Sequence, residues 1–213
     1  MSGQIILLNE DNMEVMARYP DGYFNLAIVD PPYGIGRDGK PKSTSKHGGH
    51  KGYDFKGWDK TAPKKEYFEE LFRVSKHQII WGANYYPEYL KGSPGWILWD
   101  KGQRLDQADG ELAYSSINKP LRVFTCNRVA IKVDGAIHPT QKPVNLYKWL
   151  LKNYATPDMK ILDTHLGSMS SAIAAYDYGV QEFVGCEIDA EYFQKGVARF
   201  NQHKRQLNLF QLS

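Results

Sequence analysis

The chain has 213 residues, 42% of them hydrophobic, which suffices for one sizeable core and predicts a single domain over 1–213. No stretch reaches the ~18 uninterrupted apolar residues of a membrane span, and the N-terminus lacks the basic-then-apolar pattern of a signal peptide. Two cysteines, Cys126 and Cys186, form no CxxC pair and offer no zinc spacing, so a soluble protein of a reducing compartment with no bound metal is expected.

"QIILLN" (4–9) reads as an opening strand and residues 11–18 as a helix. "NLAIVD" (25–30) predicts a second strand that ends on Asp30, followed by "PPYGIG". Residues 36–57 carry no structural period, and a loop of that length in a compact domain is functional or disordered. Between 37 and 65 nine basic residues face three acidic ones, a local net charge of +6 against +3 for the whole chain. The basic loop 36–60 therefore suits a polyanionic partner, or is a solvated loop with none. A helix over 64–75 and strands at 78–82, 96–100 and 122–126 follow, with 101–137 as a short insert. Pro143 suits a first helical turn for 143–154, where Val144, Tyr147, Leu150, Leu151 and Tyr154 recur at amphipathic spacing. A strand at 160–165, a helix at 169–178, a strand at 182–189 and a helix at 190–205 complete the core, leaving a tail over 206–213. This alternation predicts an α/β fold around a mostly parallel, seven-stranded sheet with helices on both faces.

In open α/β sheets ligands bind beyond the carboxyl ends of the strands. Three predicted strands carry acids there: Asp30, Asp163 and Glu187. Asp163 runs into a turn at Gly167, where backbone can approach a ligand closely, and small residues from Ser168 onward open a helix. About twenty residues beyond that turn, Glu187 stands where an acid commonly holds two ribose hydroxyls. The alternative is an ordinary βαβ unit with a solvated acid.

"DPPY" (30–33) reads as a turn with aromatic packing or as an amine-binding device. An exocyclic amine on adenine or cytosine is a weak nucleophile because its lone pair is delocalised into the ring. Two acceptors aimed at its N–H groups favour a tetrahedral nitrogen with the lone pair free. Asp30 offers a carboxylate oxygen, and Pro31 a carbonyl with no N–H of its own. Pro32 stiffens the kink, and Tyr33 can stack on a base swung out of the helix. The work is positioning and electrostatic complementarity, with no shifted pKa required.

"DPPYGIG", "HPTQKP" (138–143) and "ILDTHLGS" (161–168), in that order, resemble the β group of S-adenosylmethionine-dependent amino-methyltransferases of DNA, over about residues 4–200. The resemblance implies a Rossmann-like methyltransferase fold, circularly rearranged so that the chain starts on the strand beside the Glu187 strand. It implies that Asp30, Pro31, Pro32 and Tyr33 bind and activate the target amine, with Asp30 also near the cofactor's methionine end. It implies cofactor contacts from Asp163, Gly167 and Ser168, from Glu187 to the ribose, from Asp11 to the adenine, and from Thr140 and Lys142 to the methionine moiety. His138 is read as a turn residue before Pro139. Asp30 at the head of the motif points to N6-adenine in double-stranded DNA, flipped from the helix, within a restriction-modification setting in a bacterial or phage-infected cytoplasm. An N4-cytosine or RNA methyltransferase and a non-catalytic DNA-binding module remain alternatives.

Thr164 and His165 stand where the family has proline and phenylalanine, and Met169 where it has a second glycine. If that position needs φ > 0, Met169 costs on the order of 1–2 kcal/mol and either crowds the cofactor or turns into the core. Asn84 and Asp100 fall at strand ends on the same edge, with Trp99 and Tyr85 nearby as pocket walls or as core. Sequence reading falls to loops carrying Arg104, Lys119, Arg122, Arg128 and Lys132, and to the basic loop. "QLNLF" (Gln206 to Phe210) resembles a peptide that docks on the bacterial sliding clamp, or else folds back on the core. Oligomeric state is not legible.

Overall fold

In the computed structural model, which describes residues 3–39, 52–102, 108–127 and 136–211 (side chains of 207–211 excepted), Phe24–Val29 forms the buried centre of one sheet. The strands are β1 (Gln4–Leu8), β2 (Phe24–Val29), β3 (Ser75–Trp81), β4 (Trp96–Asp100), β5 (Gly110–Ser115), β6 (Arg122–Thr125), β7 (Lys160–Asp163) and β8 (Glu182–Cys186). Their spatial order is β1-β8-β7-β2-β3-β5-β4-β6. β5 runs antiparallel to both its neighbours, and every other adjacent pair is parallel. The first strand lies beside β8 in register Leu8↔Cys186, the rearrangement expected from the motif order.

Among the described residues the sheet has eight strands rather than the expected seven. The additional one is β5, inside the segment read as an insert. Its six residues, GELAYS, mix weak strand formers with a glycine, so period alone does not mark them. Sheet context does: Ala113 faces one core and Tyr114 the other. Residues 103–107 and 128–135 of that segment, with Arg104, Arg128 and Lys132, lie outside the described residues, as do 40–51 of the basic loop.

β2 shows why this sheet needs two helical layers. Leu26 and Ile28 enter one core, while Ala27 and Val29 enter the other. The first core is closed by α3 (Val144–Tyr154), α4 (Ser170–Tyr178) and Phe200 of α5 (Ala190–Gln211). The second is closed by α1 (Asn12–Met16) and α2 (Lys65–Val74), whose Tyr67, Phe68, Leu71 and Val74 share one face at helical spacing. α5 continues to Gln211, so 206–211 prolongs a helix where a separate tail over 206–213 was expected. The Gln206–Phe210 clamp reading falls mainly on side chains outside the described set. Among the described residues no helix is long and apolar enough to cross a membrane.

Met169 has φ 60°, the only positive φ at a non-glycine residue among those described. Its side chain is fully buried and packs over Gly196 of α5, where an added Cβ would meet Met169 Cγ at 2.8 Å. The backbone strain is real, but the thioether points into the core and does not line the ligand cleft. Crowding of a cofactor by Met169 is therefore corrected. Met169→Gly is expected to relieve ~1–2 kcal/mol of strain yet lose a buried side chain worth ~2–5 kcal/mol. A net loss of stability in urea unfolding, with ligand affinity unchanged in calorimetry, is the expected pair of results.

Candidate active site: an acid-rich cleft joined to a buried charge ladder

The carboxyl ends of β2, β7 and β8 open onto a cleft of ≈ 190 Å³. Its lining brings together Asp11, Asp30, Pro32, Thr140, Lys142, Gly167, Ser168 and Glu187 from the sequence reading. Asp163 sits just beneath, 1% exposed, its carboxylate accepting from the His165 backbone N–H at 3.0 Å and from the Ser171 hydroxyl. It therefore shapes the turn from below.

Glu187 follows β8 and holds the Gly167 turn across the cleft. Its Oε2 accepts from the Gly167 N–H and its Oε1 from the Asp189 N–H, both at 2.9 Å. A carboxylate has about four lone-pair sites, so each oxygen retains one for a ligand. Gly167 itself has φ 47°, in the region that favours glycine. Asp11 caps α1, accepting from the Met13 and Glu14 N–H groups at 2.8 and 3.3 Å through one oxygen, Oδ1. Thr140 is exposed at the rim, against His138 Nδ1 at 3.2 Å.

Several walls escaped the sequence reading. His138 is more than a turn residue: its ring lines the cleft between Trp58, at 5.2 Å, and Tyr192, at 4.4 Å. Burial holds its pKa down at about 3, so the imidazole is neutral. His165, at the position of the family's phenylalanine, is likewise held to about 4 by burial. Its two ring nitrogens meet the Asn12 amide at 3.2 Å and the Thr164 hydroxyl at 2.9 Å. From the basic loop, Lys56 pairs with Asp189 and Glu191, both at 2.8 Å, and lies 4.3 Å from the Tyr192 ring centre. Lys56 and Trp58 of that loop thus pack onto the cleft, while Asp54, Phe55 and Lys60 are exposed.

The cleft joins the DPPY turn at Asp30. Asp59, 2% exposed, organises the turn by accepting from the backbone N–H groups of Tyr33, Gly34 and Arg37 at 2.7–2.9 Å. Tyr33 lies over Gly82, where a Cβ would come within 2.1 Å of the ring, so only glycine fits there. Its ring stacks on half-exposed Tyr85, centroids 5.0 Å apart. Tyr33 Oη donates to Asp30 Oδ1 at 2.8 Å. Lys142, 3% exposed, donates to Asp30 Oδ2 and pairs with Glu111 at 3.1 Å. Lys101 closes the row on the other oxygen of Glu111 at 2.6 Å. Lys142 therefore lines the cleft, but its ammonium is engaged by two protein carboxylates, not free for a ligand's carboxylate as the resemblance implied. Trp99 is core, donating to the Cys126 carbonyl at 2.9 Å, and Asp100 accepts from the Gly102 N–H in a turn. Neither lines the cleft, and Asn84 does not either.

Burial lifts Asp163 to about 7. Its native carboxyl then holds a proton more tightly than the unfolded chain does, so it contributes stability below about pH 4 that is lost as pH rises through about 7. The two lowered histidines have the opposite sign and act below their ordinary value of 6.5. Asp163→Asn is therefore expected to flatten the fall in melting temperature between about pH 6.5 and 8. Calorimetry across that window, with an unchanged slope in the variant, would contradict the assignment.

Residues 99–198 match the family described as DNA methylase. The Type II methyltransferase M1.MboII of Moraxella bovis is 32% identical over 83 residues, 37% of this chain and 32% of that protein. The DNA adenine methyltransferase YhdJ of Escherichia coli K12 is 36% identical over 89 residues, 41% of this chain and 30% of that protein. The matched segment thus spans about a third of the length of these curated relatives. The solved M1.HpyAVI-SAM complex superposes with a TM-score of 0.61 at 18% identity, covering 93% of this chain and 100% of that one. Sheet order, cleft and sequence pattern agree: the chain has the methyltransferase fold and is similar, over residues 99–198, to the family described as DNA methylase.

Proposed function

We propose that the protein is an S-adenosylmethionine-dependent methyltransferase acting on the N6 amine of a flipped adenine in double-stranded DNA. The observation that carries this reading is the position of Asp30, which lines the acid-rich cleft and is at the same time the acceptor of the DPPY turn. The cleft fits the cofactor by its donor set. Glu10, Asp11, Asp30, Glu187 and Asp189 suit a ligand that carries a positive centre, hydroxyl groups and an exocyclic amine. When bound, S-adenosylmethionine supplies an electrophilic methyl group. The chain's own residues do the rest: Glu187 holds the ribose hydroxyls, Asp11 faces the adenine, and Gly167 lets the backbone approach.

On the substrate side Asp30 Oδ1 accepts from the target amine in place of the Tyr33 hydroxyl, and the Pro31 carbonyl accepts the second N–H. Burial raises the Asp30 carboxyl above its ordinary range, against the opposing pull of Lys142, so it suits taking the proton that the amine releases. The family covers N6-adenine and N4-cytosine enzymes alike, and cytosine is the second reading; Asp30 at the motif's head and the adenine methyltransferase among the relatives favour adenine.

The test is incubation of the purified protein with S-adenosylmethionine and unmethylated DNA, digestion to nucleosides and mass spectrometry. N6-methyladenine is the expected product, and N4-methylcytosine would correct only the base. Methylation of RNA and not DNA, or DNA binding with no transfer to either, would overturn the reading.

A further inference from the structure

We propose that Glu111 is a positioning residue for the amine-binding carboxylate: held by Lys101, it shares the Lys142 ammonium with Asp30 and so prevents Asp30 from closing into a one-to-one ion pair. The proposal rests on the methyltransferase reading for its consequence, though not for its electrostatics.

The geometry is a row of alternating charges. Lys101 Nζ stands 2.6 Å from Glu111 Oε1, and Lys142 Nζ stands 3.1 Å from Glu111 Oε2 while also donating to Asp30 Oδ2. Lys142 and Lys101 are 3% and 6% exposed, and the side chains of Asp30 and Glu111 17% and 24%, so the row is largely shielded from bulk solvent and its charge pairs are strengthened. A buried ammonium facing a single carboxylate would hold both oxygens or draw most of the charge onto itself. Two carboxylates about one ammonium divide it. Asp30 then gives Oδ2 to Lys142 and keeps Oδ1 for a neutral donor, here the Tyr33 hydroxyl at 2.8 Å. That hydroxyl also reaches Glu111 Oε2 at 3.3 Å and Lys142 at 3.2 Å, so it retains partners when a substrate amine displaces it. Glu111 thus provides the place into which Tyr33 yields. Its own element, β5, pairs Glu111 with Trp99 of β4, which fixes its height beside Lys101.

Other titratable groups face Asp30. Tyr67 of α2, Tyr86 after β3, Tyr147 of α3 and Asp163 at the end of β7 interact with it electrostatically, besides Tyr33 of its own turn. The tyrosines are all held neutral by burial, and the Asp163 carboxyl, itself lifted to about 7, adds negative charge only as it ionises. Glu111 and Lys142 are therefore the pair whose replacement moves Asp30 in opposite directions. Loss of the Glu111 charge lowers the pH at which Asp30 protonates, and loss of the Lys142 charge raises it.

The test is carboxyl-carbon NMR of protein labelled at aspartate, with the Asp30 signal assigned by its absence in Asp30→Asn. Wild type, Glu111→Gln and Lys142→Met are titrated, and methyl-transfer kinetics are run beside them. The expected result is an Asp30 midpoint that falls in Glu111→Gln and rises in Lys142→Met. In Glu111→Gln kcat is expected to drop about tenfold or more with KM for DNA and cofactor little changed, because orientation at the reacting atom is what is lost. Glu111→Asp should restore part of it. Unmoved midpoints overturn the proposal, as does a Glu111→Gln enzyme that moves the midpoint and keeps full kcat. Midpoints that move as expected in the variants, beside a wild type that methylates no nucleic acid, would support the ladder and refute the functional reading.

Discussion

Asp30→Ala is expected to lower the rate of methyl transfer by about 10²–10³-fold or more, the scale seen when one preorganised polar group is removed at a reacting centre. Among the described residues the carboxylate is the one side chain that both lines the cleft and accepts within the DPPY turn, and Glu111, the nearest other acceptor, does not line the cleft. The variant should nevertheless fold. Breaking a buried ion pair costs ~3–5 kcal/mol when it strands a charge. Here Lys142 keeps Glu111 at 3.1 Å, and the Tyr33 hydroxyl keeps the same carboxylate at 3.3 Å, so the penalty falls below that range. Asp30→Asn separates the two roles of the residue. It retains an acceptor oxygen for the amine but cannot take its proton, and should lie between alanine and wild type. Single-turnover rates with thermal melts measure both. A folded Asp30→Ala protein with wild-type rate would remove the DPPY turn from the chemistry altogether.

Much of this site is legible in the sequence for a plain reason. Asp30, Asp163 and Glu187 each end or follow an apolar strand, and parallel α/β sheets gather such ends on one edge. Local patterning is enough to place them. Residues that act from a distance in sequence leave no such mark. Asp59 binds three N–H groups of a turn 22 to 26 positions earlier, and nothing in "KGWDK" distinguishes it from the lysine-rich loop around it. Glu111 escaped because its strand did: β5 exists only where β3 and β4 flank it. The resemblance implies a Lys142 that faces a ligand, and the structure turns it onto Asp30 and Glu111, two carboxylates of the chain itself that hold the buried ammonium. Met169 was open in both directions. Its φ confirmed the strain, and Gly196, 27 positions later on another helix, supplied the room that the sequence could not show.

Glu187→Ala is expected to weaken binding of S-adenosylmethionine by about 10²–10⁴-fold, with DNA affinity little changed. Each charge-assisted hydrogen bond donated by a hydroxyl to a partly buried carboxylate contributes ~1.5–3 kcal/mol, two are available, and 1.4 kcal/mol is a factor of ten. The acid also ties the Gly167 and Asp189 N–H groups together, so its removal loosens the turn that faces the ligand. Glu187→Gln should fare poorly too, for a geometric reason. An amide has one acceptor oxygen, and either orientation sets its NH2 against one of those two backbone donors. Burial raises the Glu187 carboxyl above its ordinary range, and only the ionised form accepts at both oxygens. Affinity should therefore hold at neutral pH and decline as pH falls through that raised value, while in Glu187→Ala the decline should disappear. Calorimetric titration with S-adenosylmethionine across the acid range reads both effects. Unchanged affinity in Glu187→Ala would place the nucleoside elsewhere in the cleft and leave this acid the role of a turn clamp.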